Sequence, residues 1–395
     1  MTELMSRDEK EFYQIQVDTP VLDKHEKEVQ DFLDNYDVMK VQSAMATQKS
    51  NIIQELITQV HNKDQTVLLI TNRITLADDA YGKYNDLKHY RHKDYVQGDS
   101  LVVQFDSLFW YNLDYFDVVI LDEITSLLLY VSDTYSGKEG RYRKNIEMLM
   151  KVGQKKLFVS DAFIIDLPFI ETENILGIYN NFRESLHVIE YKSKFPFFSK
   201  IIREAGKGII SVSGNEKRVL HKLEKQFQKR GLKVLKLTAD LSLREKENVF
   251  KLLNDTENFK YDVFLFSPTL TVGVSILLDI KHHFHFDNSS SMDVISSIQM
   301  TRRSRNAKNI HFYISAISSF KTTNISGIEK RLDLFQMVNK YGVSFGLTEA
   351  GKKLAKIKQM RNIFDNTHKY AFRELLTYQF NNVEYDSRIG EAFIL

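Results

Sequence analysis

The sequence predicts an α/β protein of two parallel-sheet domains followed by a helical appendage. From about residue 50, short β-branched or apolar runs alternate with longer polar stretches of helical spacing, the pattern of parallel α/β layers. The chain has 395 residues, 43% apolar and 12% aromatic, more than a single compact core usually holds. Glycine (16) and proline (4) are scarce, which favours continuous elements over linkers or low-complexity sequence.

Taken in order, the first set of strands is read at Val67 to Thr71, Leu101 to Gln104, Val118 to Asp122, Leu157 to Asp161 and His187 to Tyr191. A second set follows at Gly208 to Ser213, Lys233 to Leu237, Val263 to Ser267, His283 to Asp287 and Ile310 to Ile314. Each run is rich in β-branched or aromatic residues and is bounded by polar text. Between the sets lies Lys192 to Ser199 with Pro196; a proline restricts its own φ and its predecessor's backbone, and the crossing is placed near residue 195. The expected domains are therefore 1–195, 196–320 and a helical extension 321–395, the last from charged, helix-compatible text at Ile328 to Tyr341 and Ala350 to Phe364. No repeat with a period of about 20 to 50 residues is present, which argues against a solenoid.

Composition removes several function classes. There are no cysteines, so disulfide frameworks and thiolate metal sites are excluded, and the interior of a cell is the expected compartment. Met1 to Lys10 carries five charges (Glu3, Arg7, Asp8, Glu9, Lys10) with no apolar stretch behind them, unlike a secretory signal. No apolar run approaches the roughly 18 residues of a membrane span, so no membrane partner is expected. A net charge of +2 neither requires nor forbids a nucleic acid, because local patches decide that.

The chemistry begins at Ser43-Ala44-Met45-Ala46-Thr47-Gln48-Lys49-Ser50, which follows extended text and precedes the helical run Asn51 to Val60. A loop entering a helix N-terminus is where phosphates bind, since unpaired N–H groups and the helix dipole point at the anion. The Lys49 ammonium can reach the β and γ phosphates, and the Ser50 hydroxyl can hold Mg²⁺. Glycines common in such loops are absent, with Ser43, Ala46 and Gln48 in their places. A glycine-like backbone at Gln48 would store about 1–3 kcal/mol of strain. The same text also reads as an ordinary helix start.

Asp117-Val118-Val119-Ile120-Leu121-Asp122-Glu123 is an apolar strand that delivers two adjacent carboxylates to its C-terminal end, where open α/β sheets bind ligands. Asp122 is assigned to the metal and Glu123 to the water that attacks the γ-phosphate; an acidic helix cap is the alternative. Further on, Ser267 to Ser275 offers a hydroxyl-rich turn able to face a phosphate backbone. Gln299-Met300-Thr301-Arg302-Arg303-Ser304-Arg305, on a helix read from near Met292, brings guanidinium groups suited to a γ-phosphate, or simply a basic helix end that complements its dipole.

In order and spacing these segments resemble motifs I, II, V and VI of superfamily 2 helicases, and most closely the herpesvirus-type replication origin-binding helicases of viruses and plasmids. Leu69 to Arg73 is similar to motif Ia, Val103 to Leu108 to motif Ib, Val159 to Ala162 to motif III and Ile210 to Ser213 to motif IV, so the resemblance runs from about residue 40 to 315.

The resemblance implies two RecA-like domains with ATP and Mg²⁺ in the cleft between them and single-stranded nucleic acid across their top. It implies catalytic roles for Lys49, Asp122, Glu123, Gln299, Arg303 and Arg305, and nucleotide contacts from Ala46, Thr47, Gln48, Lys49, Ser50, Gly273 and Arg302, the choice among the three arginines staying open. Mg²⁺ would sit at Ser50 and Asp122, and the strand at Thr71, Arg73, Gln104, Ser107 and Thr271. The activity implied is an ATP- and Mg²⁺-dependent DNA helicase or translocase in viral, phage or plasmid replication, with DNA and other replication proteins as partners. An RNA helicase and a non-hydrolysing scaffold with a decayed phosphate loop are the alternatives. No origin-recognition domain is recognisable after residue 320.

Three features are left without a role. His282, His283 and His285 lack the acidic or thiolate company of a metal site. Lys138 to Lys144 reads as a solvated helix start, with a nucleic-acid backbone contact as the alternative, and Phe195, Phe197 and Phe198 read as aromatics buried at an interdomain seam, with base stacking as the alternative.

Overall fold

The computed structural model describes residues 13–45, 47–84, 86–92, 95–133, 147–164, 167–268, 276–288, 294–315, 324, 326, 328, 349–366 and 380–386. The chain divides into two units, residues 1–182 with 321–363 and residues 183–320 with 364–395.

Unit 1 is built on an eight-stranded, all-parallel sheet: β1 (Tyr13–Val17), β2 (Val38–Gln42), β3 (Val67–Thr71), β4 (Lys88–His89), β5 (Leu101–Gln104), β6 (Val118–Asp122), β7 (Lys156–Asp161) and β8 (Ile175–Asn180). Their order is β1-β8-β2-β7-β6-β3-β5-β4. Strands β2, β3 and β6 are near-continuous runs of buried apolar residues, as a sheet covered on both faces demands. One face is packed by Val29, Phe32, Ile52, Ile53, Leu56, Ile57 and Val60, which lie on α1 (Glu26–Asn35) and α2 (Ser50–His61). The helices α3 (Ile74–Lys83) and α4 (Ile124–Asp133) follow β3 and β6 directly.

Unit 2 carries seven parallel strands: β9 (Glu184–Tyr191), β10 (Ile210–Gly214), β11 (Val234–Leu237), β12 (Val263–Phe266), β13 (His282–Asp287), β14 (Asn309–Ile314) and β15 (Phe380–Asp386), ordered β11-β12-β10-β13-β14-β9-β15. Its helices are α5 (Lys194–Glu204), α6 (Lys217–Lys229), α7 (Leu243–Asn254) and α8 (Val294–Thr301). The aromatic group splits as the packing requires: Phe197 and Phe198 join the core, whereas Phe195 is half-buried beneath the Lys194 ammonium, 5.4 Å from its ring centre.

Four expectations are corrected. The strand read at His187 to Tyr191 belongs to the second sheet, because β9 pairs in parallel with β14. The crossing placed near residue 195 falls instead between Phe182 and Arg183, and Pro196 sits in the first turn of α5, whose cap is Ser193, a place where a missing N–H is harmless. The sheets have eight and seven strands rather than about five each, since β1, β2, β4 and β8 were not named as strands. The extension is not wholly helical. Its helix α9 (Glu349–Asn366) is present, with Arg361 donating to Leu129 O at 2.8 Å in unit 1, but β15 completes the edge of the second sheet against β9.

Candidate functional site

Strand order in unit 1 sets three loops side by side, because β7 lies between β2 and β6. The loop after β2 is closed by its own polar groups. Ser43 N donates to Asp161 O at 3.1 Å and Leu22 N to Thr47 O at 2.8 Å. Thr47 Oγ1 donates to Ala44 O at 2.7 Å, so the 2.5 Å contact between the Ser43 and Thr47 hydroxyls is a donation from Ser43. Thr47 is 1% exposed, and its side chain braces the loop.

Gln48 has φ +58, the left-handed backbone anticipated for the glycine-like position. With that turn made, the N–H groups of Thr47, Gln48 and Ser50 have no acceptor among the described residues, which is the donor arrangement an anion at a helix N-terminus needs. Lys49 Nζ folds back and donates to Ser43 O at 2.8 Å and Ala44 O at 3.2 Å, standing at the loop where a phosphate would draw it. These residues fit ATP. Ala46 lies outside the described residues.

At the end of β6, Asp122 Oδ1 accepts from Ser160 Oγ at 2.5 Å and from Glu123 N at 3.0 Å. Ser160 on β7 is the partner of Asp122 in the sheet register. Glu123 has φ +54, a second left-handed non-glycine residue, and α4 starts at the next position. Outliers of this kind gather where a backbone is held in shape for function. A fixed carboxylate at Asp122, with the Ser50 hydroxyl at the head of α2, fits a hard cation that takes oxygen ligands.

Asp161 ends the strand read at Leu157 to Asp161 and falls within the motif III match. It is 2% exposed. Its Oδ2 accepts from Thr125 N at 2.8 Å, and its Oδ1 accepts from Ala162 N at 2.6 Å and from Phe163 N at 3.4 Å. Burial pushes the carboxyl up to about 6, although the Lys49 charge and the three N–H groups pull the other way. One buried group thus ties the start of α4, directly behind Glu123, to the loop after β7. An Asp ending a buried strand was the available signal, but its partners are backbone groups that sequence does not display.

The strand-contact candidates also share this sheet edge. Thr71 and Gln104 end β3 and β5 as register partners, Arg73 precedes α3 in an extended conformation, and Ser107 lies in the short helix after β5. Thr71 differs from the expectation: it is 3% exposed and its hydroxyl donates to Arg73 O at 3.0 Å, so it shapes the turn. Gln104 Oε1 accepts from Tyr90 OH at 3.3 Å.

In unit 2, α8 ends at Thr301, and the arginines occupy the turn beyond it. Ile276 N donates to Arg303 O at 2.7 Å and Arg305 N to Ile276 O at 3.0 Å, joining the residue that follows the motif V match to the motif VI turn. Arg302 departs from its nucleotide-contact assignment. It is 2% exposed, pairs with Glu184 and lies over the Phe380 ring at 5.5 Å; burial lowers its pKa against the opposing Glu184 charge. Gln299 and Arg303 are 5% and 8% exposed, and Arg305 is half-buried. Thr271, Gly273 and the basic stretch 138–144 lie outside the described residues. Among the described residues no group of histidines and carboxylates is arranged to hold a metal, and no helix is long and apolar enough to cross a membrane.

No family model matches the chain, and no curated protein does. Solved structures do. The Mycobacterium smegmatis helicase Lhr bound to ssDNA and AMP-PNP matches at TM-score 0.52 and 11% identity over 82% of this chain, which spans about half (49%) of the Lhr chain. The S. cerevisiae Dbp5 bound to RNA and ADP BeF3 matches at TM-score 0.52 and 14% identity, covering 90% of this chain and 93% of Dbp5. Mss116p bound to ssRNA and AMP-PNP matches at TM-score 0.50 and 10% identity over 95% of this chain and 100% of its own. At such identities the likeness is one of architecture: the chain shares with these structures a fold of two parallel α/β sheets of the RecA-like kind.

Proposed function

We propose that this chain is an ATP- and Mg²⁺-dependent helicase or translocase acting on single-stranded nucleic acid, and that its substrate is DNA in viral, phage or plasmid replication. The observation that carries the reading is the strand order that sets the loop after β2, bearing Lys49 and Ser50, near the end of β6, bearing Asp122 and Glu123, with left-handed backbone at Gln48 and Glu123. In this reading Lys49 leaves Ser43 O and Ala44 O for the phosphates, and the Thr47, Gln48 and Ser50 amides hold the oxygens. Glu123 orients and deprotonates the attacking water. Mg²⁺, held by Ser50 and Asp122, would neutralise phosphate charge. Arg303 and Arg305 take the charge-stabilising role, and Arg302 is assigned to the fold. Arg73, Gln104 and Ser107 follow the strand without reading its bases.

The test is strand-stimulated ATP turnover. Lys49→Ala and Glu123→Gln should each abolish it, and unchanged turnover in both variants would refute the assignment. A binding scaffold without hydrolysis has one observation in its favour, the Lys49 ammonium already bonded to its own loop. Nucleotide titration with and without Mg²⁺ separates the readings, since the scaffold should show no Mg²⁺-dependent affinity. The DNA assignment rests on the motif resemblance to origin-binding helicases, and turnover against matched DNA and RNA strands decides it.

A further inference from the structure

The three histidines left without a role lie on β13, and two of them are fully buried in a run of equally buried hydroxyls. Ser211, Ser213, His283, His285, Ser297 and Ser304 are all 0% exposed, and Asp287 is 1% exposed. A parallel strand covered on both faces normally carries apolar residues, and buried polar groups are costly unless bonded. These are bonded in sequence. Ser304 Oγ lies 3.0 Å from Ser211 Oγ, and Ser211 Oγ lies 2.7 Å from His283 Nδ1. His283 Nε2 is 3.2 Å from Ser213 Oγ, which is 2.8 Å from His285 Nδ1. His285 Nε2 is 3.0 Å from Ser297 Oγ, which donates to Asp287 Oδ2.

Proton counting gives this series a direction. A serine has one proton to donate, and a neutral imidazole has one donor and one acceptor nitrogen. The Asp287 carboxylate accepts only, so the Ser297 proton goes to it and Ser297 Oγ must accept from His285 Nε2–H. His285 Nδ1 is then an acceptor and takes the Ser213 proton. Ser213 Oγ accepts from His283 Nε2–H, and His283 Nδ1 accepts from one of two hydroxyls, Ser211 at 2.7 Å or Ser304 at 3.2 Å. Those two hydroxyls are 3.0 Å apart, and the one that does not bond the ring donates to the one that does. Six hydrogen bonds therefore run one way and end on one carboxylate, whose other oxygen accepts from Asn215 Nδ2 at 2.5 Å. Bonds aligned in this way polarise one another. Burial also holds His283 well below its ordinary range, with the neighbouring His285 and Arg302 charges adding to the effect.

The ends of the chain matter most. Ser297 lies on α8, two positions before Gln299, and Ser304 sits between Arg303 and Arg305. We propose that this directed chain, from the Ser304 and Ser211 hydroxyls through His283, Ser213, His285 and Ser297 to Asp287, is the positioning device of the arginine turn, fixing it from both sides to β13 and β10 so that Arg303 and Arg305 are pre-set for the hydrolytic step. The proposal rests on the hydrolysis reading above for its kinetic consequence, whereas the chain itself is tested without activity. Its members are positioning residues.

Side-chain ¹⁵N spectra of histidine-labelled full-length protein read the tautomers. His283 and His285 should both be neutral with the proton on Nε2 at pH 7.5, and His283 should stay so down to pH 5.5. A proton on Nδ1 of either ring, or titration of His283 near pH 6.5, overturns the chain whether or not the protein hydrolyses ATP. In turnover assays Ser297→Ala and Ser304→Ala should each lower kcat about tenfold or more while leaving the KM for ATP and single-strand affinity within twofold. Ser297→Thr, which restores the hydroxyl, should recover kcat. Unchanged kcat, or a parallel loss of kcat, KM and strand affinity, overturns the positioning role. If the unmodified protein shows no strand-stimulated turnover, the hydrolysis reading has failed and the kinetic role falls with it, and the spectra then judge the chain alone.

Discussion

Unit 1 and unit 2 hold their functional loops by different physical means. Unit 1 uses strain and charge: Gln48 and Glu123 stand in left-handed backbone, and Asp161 is a buried carboxylate shared among three backbone N–H groups. Unit 2 uses neutral side chains, a hydroxyl and imidazole series that begins beside Arg303 and ends at Asp287. A strained turn with an electrostatic anchor can yield when a charged ligand arrives, as Lys49 must. A fully bonded neutral network keeps its geometry until a proton breaks it. The loop that must exchange partners is built from the first kind of support, and the turn that must keep its shape from the second.

Acid gives the largest expected contrast, because the Asp161 anchor of unit 1 and the buried histidines of β13 and β14 in unit 2 respond with opposite sign. In unit 2, burial lowers His282 to about 4 and His311 to about 3, and holds His283 lower than usual as well. The unfolded chain then binds protons that the folded chain refuses, so stability falls once pH drops below the unfolded value of 6.5. Between pH 7 and 5 the loss is about 2 kcal/mol for each of His282 and His311. In unit 1, Asp161 is raised to about 6. The folded chain binds that proton more readily than the unfolded chain, so the same acidification adds about 1 kcal/mol. Residue-resolved amide exchange should show protection falling on β13 and β14 while β6 and β7 hold or gain. Equal losses in both sheets would break the comparison.

The Asp161 anchor is tested by removing it. Asp161→Ala relieves a buried carboxylate but leaves the Thr125 and Ala162 N–H groups without their acceptor, each worth about 1–3 kcal/mol when buried and unbonded. A net loss of about 2 kcal/mol in denaturant titration is expected, with slower turnover because the backbone behind Glu123 is no longer held. If stability rises and turnover is unchanged, the carboxylate is only a desolvation burden.

How much of this was legible follows from what each feature depends on. The strands Val67 to Thr71, Leu101 to Gln104 and Val118 to Asp122 coincide with β3, β5 and β6, because a continuous apolar run between polar boundaries is a local property. The membership of β9 was not legible, since pairing with β14 across more than a hundred residues leaves no mark on its own sequence. β15 escaped for a similar reason: Phe380–Asp386 holds asparagines, a glutamate and an aspartate and becomes a strand by adding to an existing edge. Lys49, Asp122 and Glu123 could be named from local text, a Lys-Ser pair at a helix start and two carboxylates ending an apolar strand, and the strand order sets their loops near one another. The fate of Arg302 was not legible, because its Glu184 partner lies on that same misplaced strand. The histidines of β13 drew notice as possible metal ligands, yet His283 and His285 bond serines from β10, α8 and the arginine turn and His282 bonds His311, a signal that only folding assembles.

The smallest effect tests the strain itself. A non-glycine residue at φ +58 costs about 1–3 kcal/mol where glycine would cost little, although glycine also enlarges the unfolded ensemble. Gln48→Gly should therefore change stability by about 1 kcal/mol or less in the favourable direction, because the two terms oppose each other. Its functional effect separates two accounts of the glycine-free loop. If Gln48 merely tolerates the turn, glycine eases the closure of the loop on a phosphate, and nucleotide affinity rises two- to threefold in a Mg²⁺-containing titration. If the Gln48 side chain, 3.3 Å from Asn51 Nδ2, helps to tie the loop to α2, affinity falls even though the backbone is relaxed. The first outcome places the rigidity of unit 1 in its backbone strain and buried charge, and the second extends to unit 1 the side-chain bonding that governs unit 2.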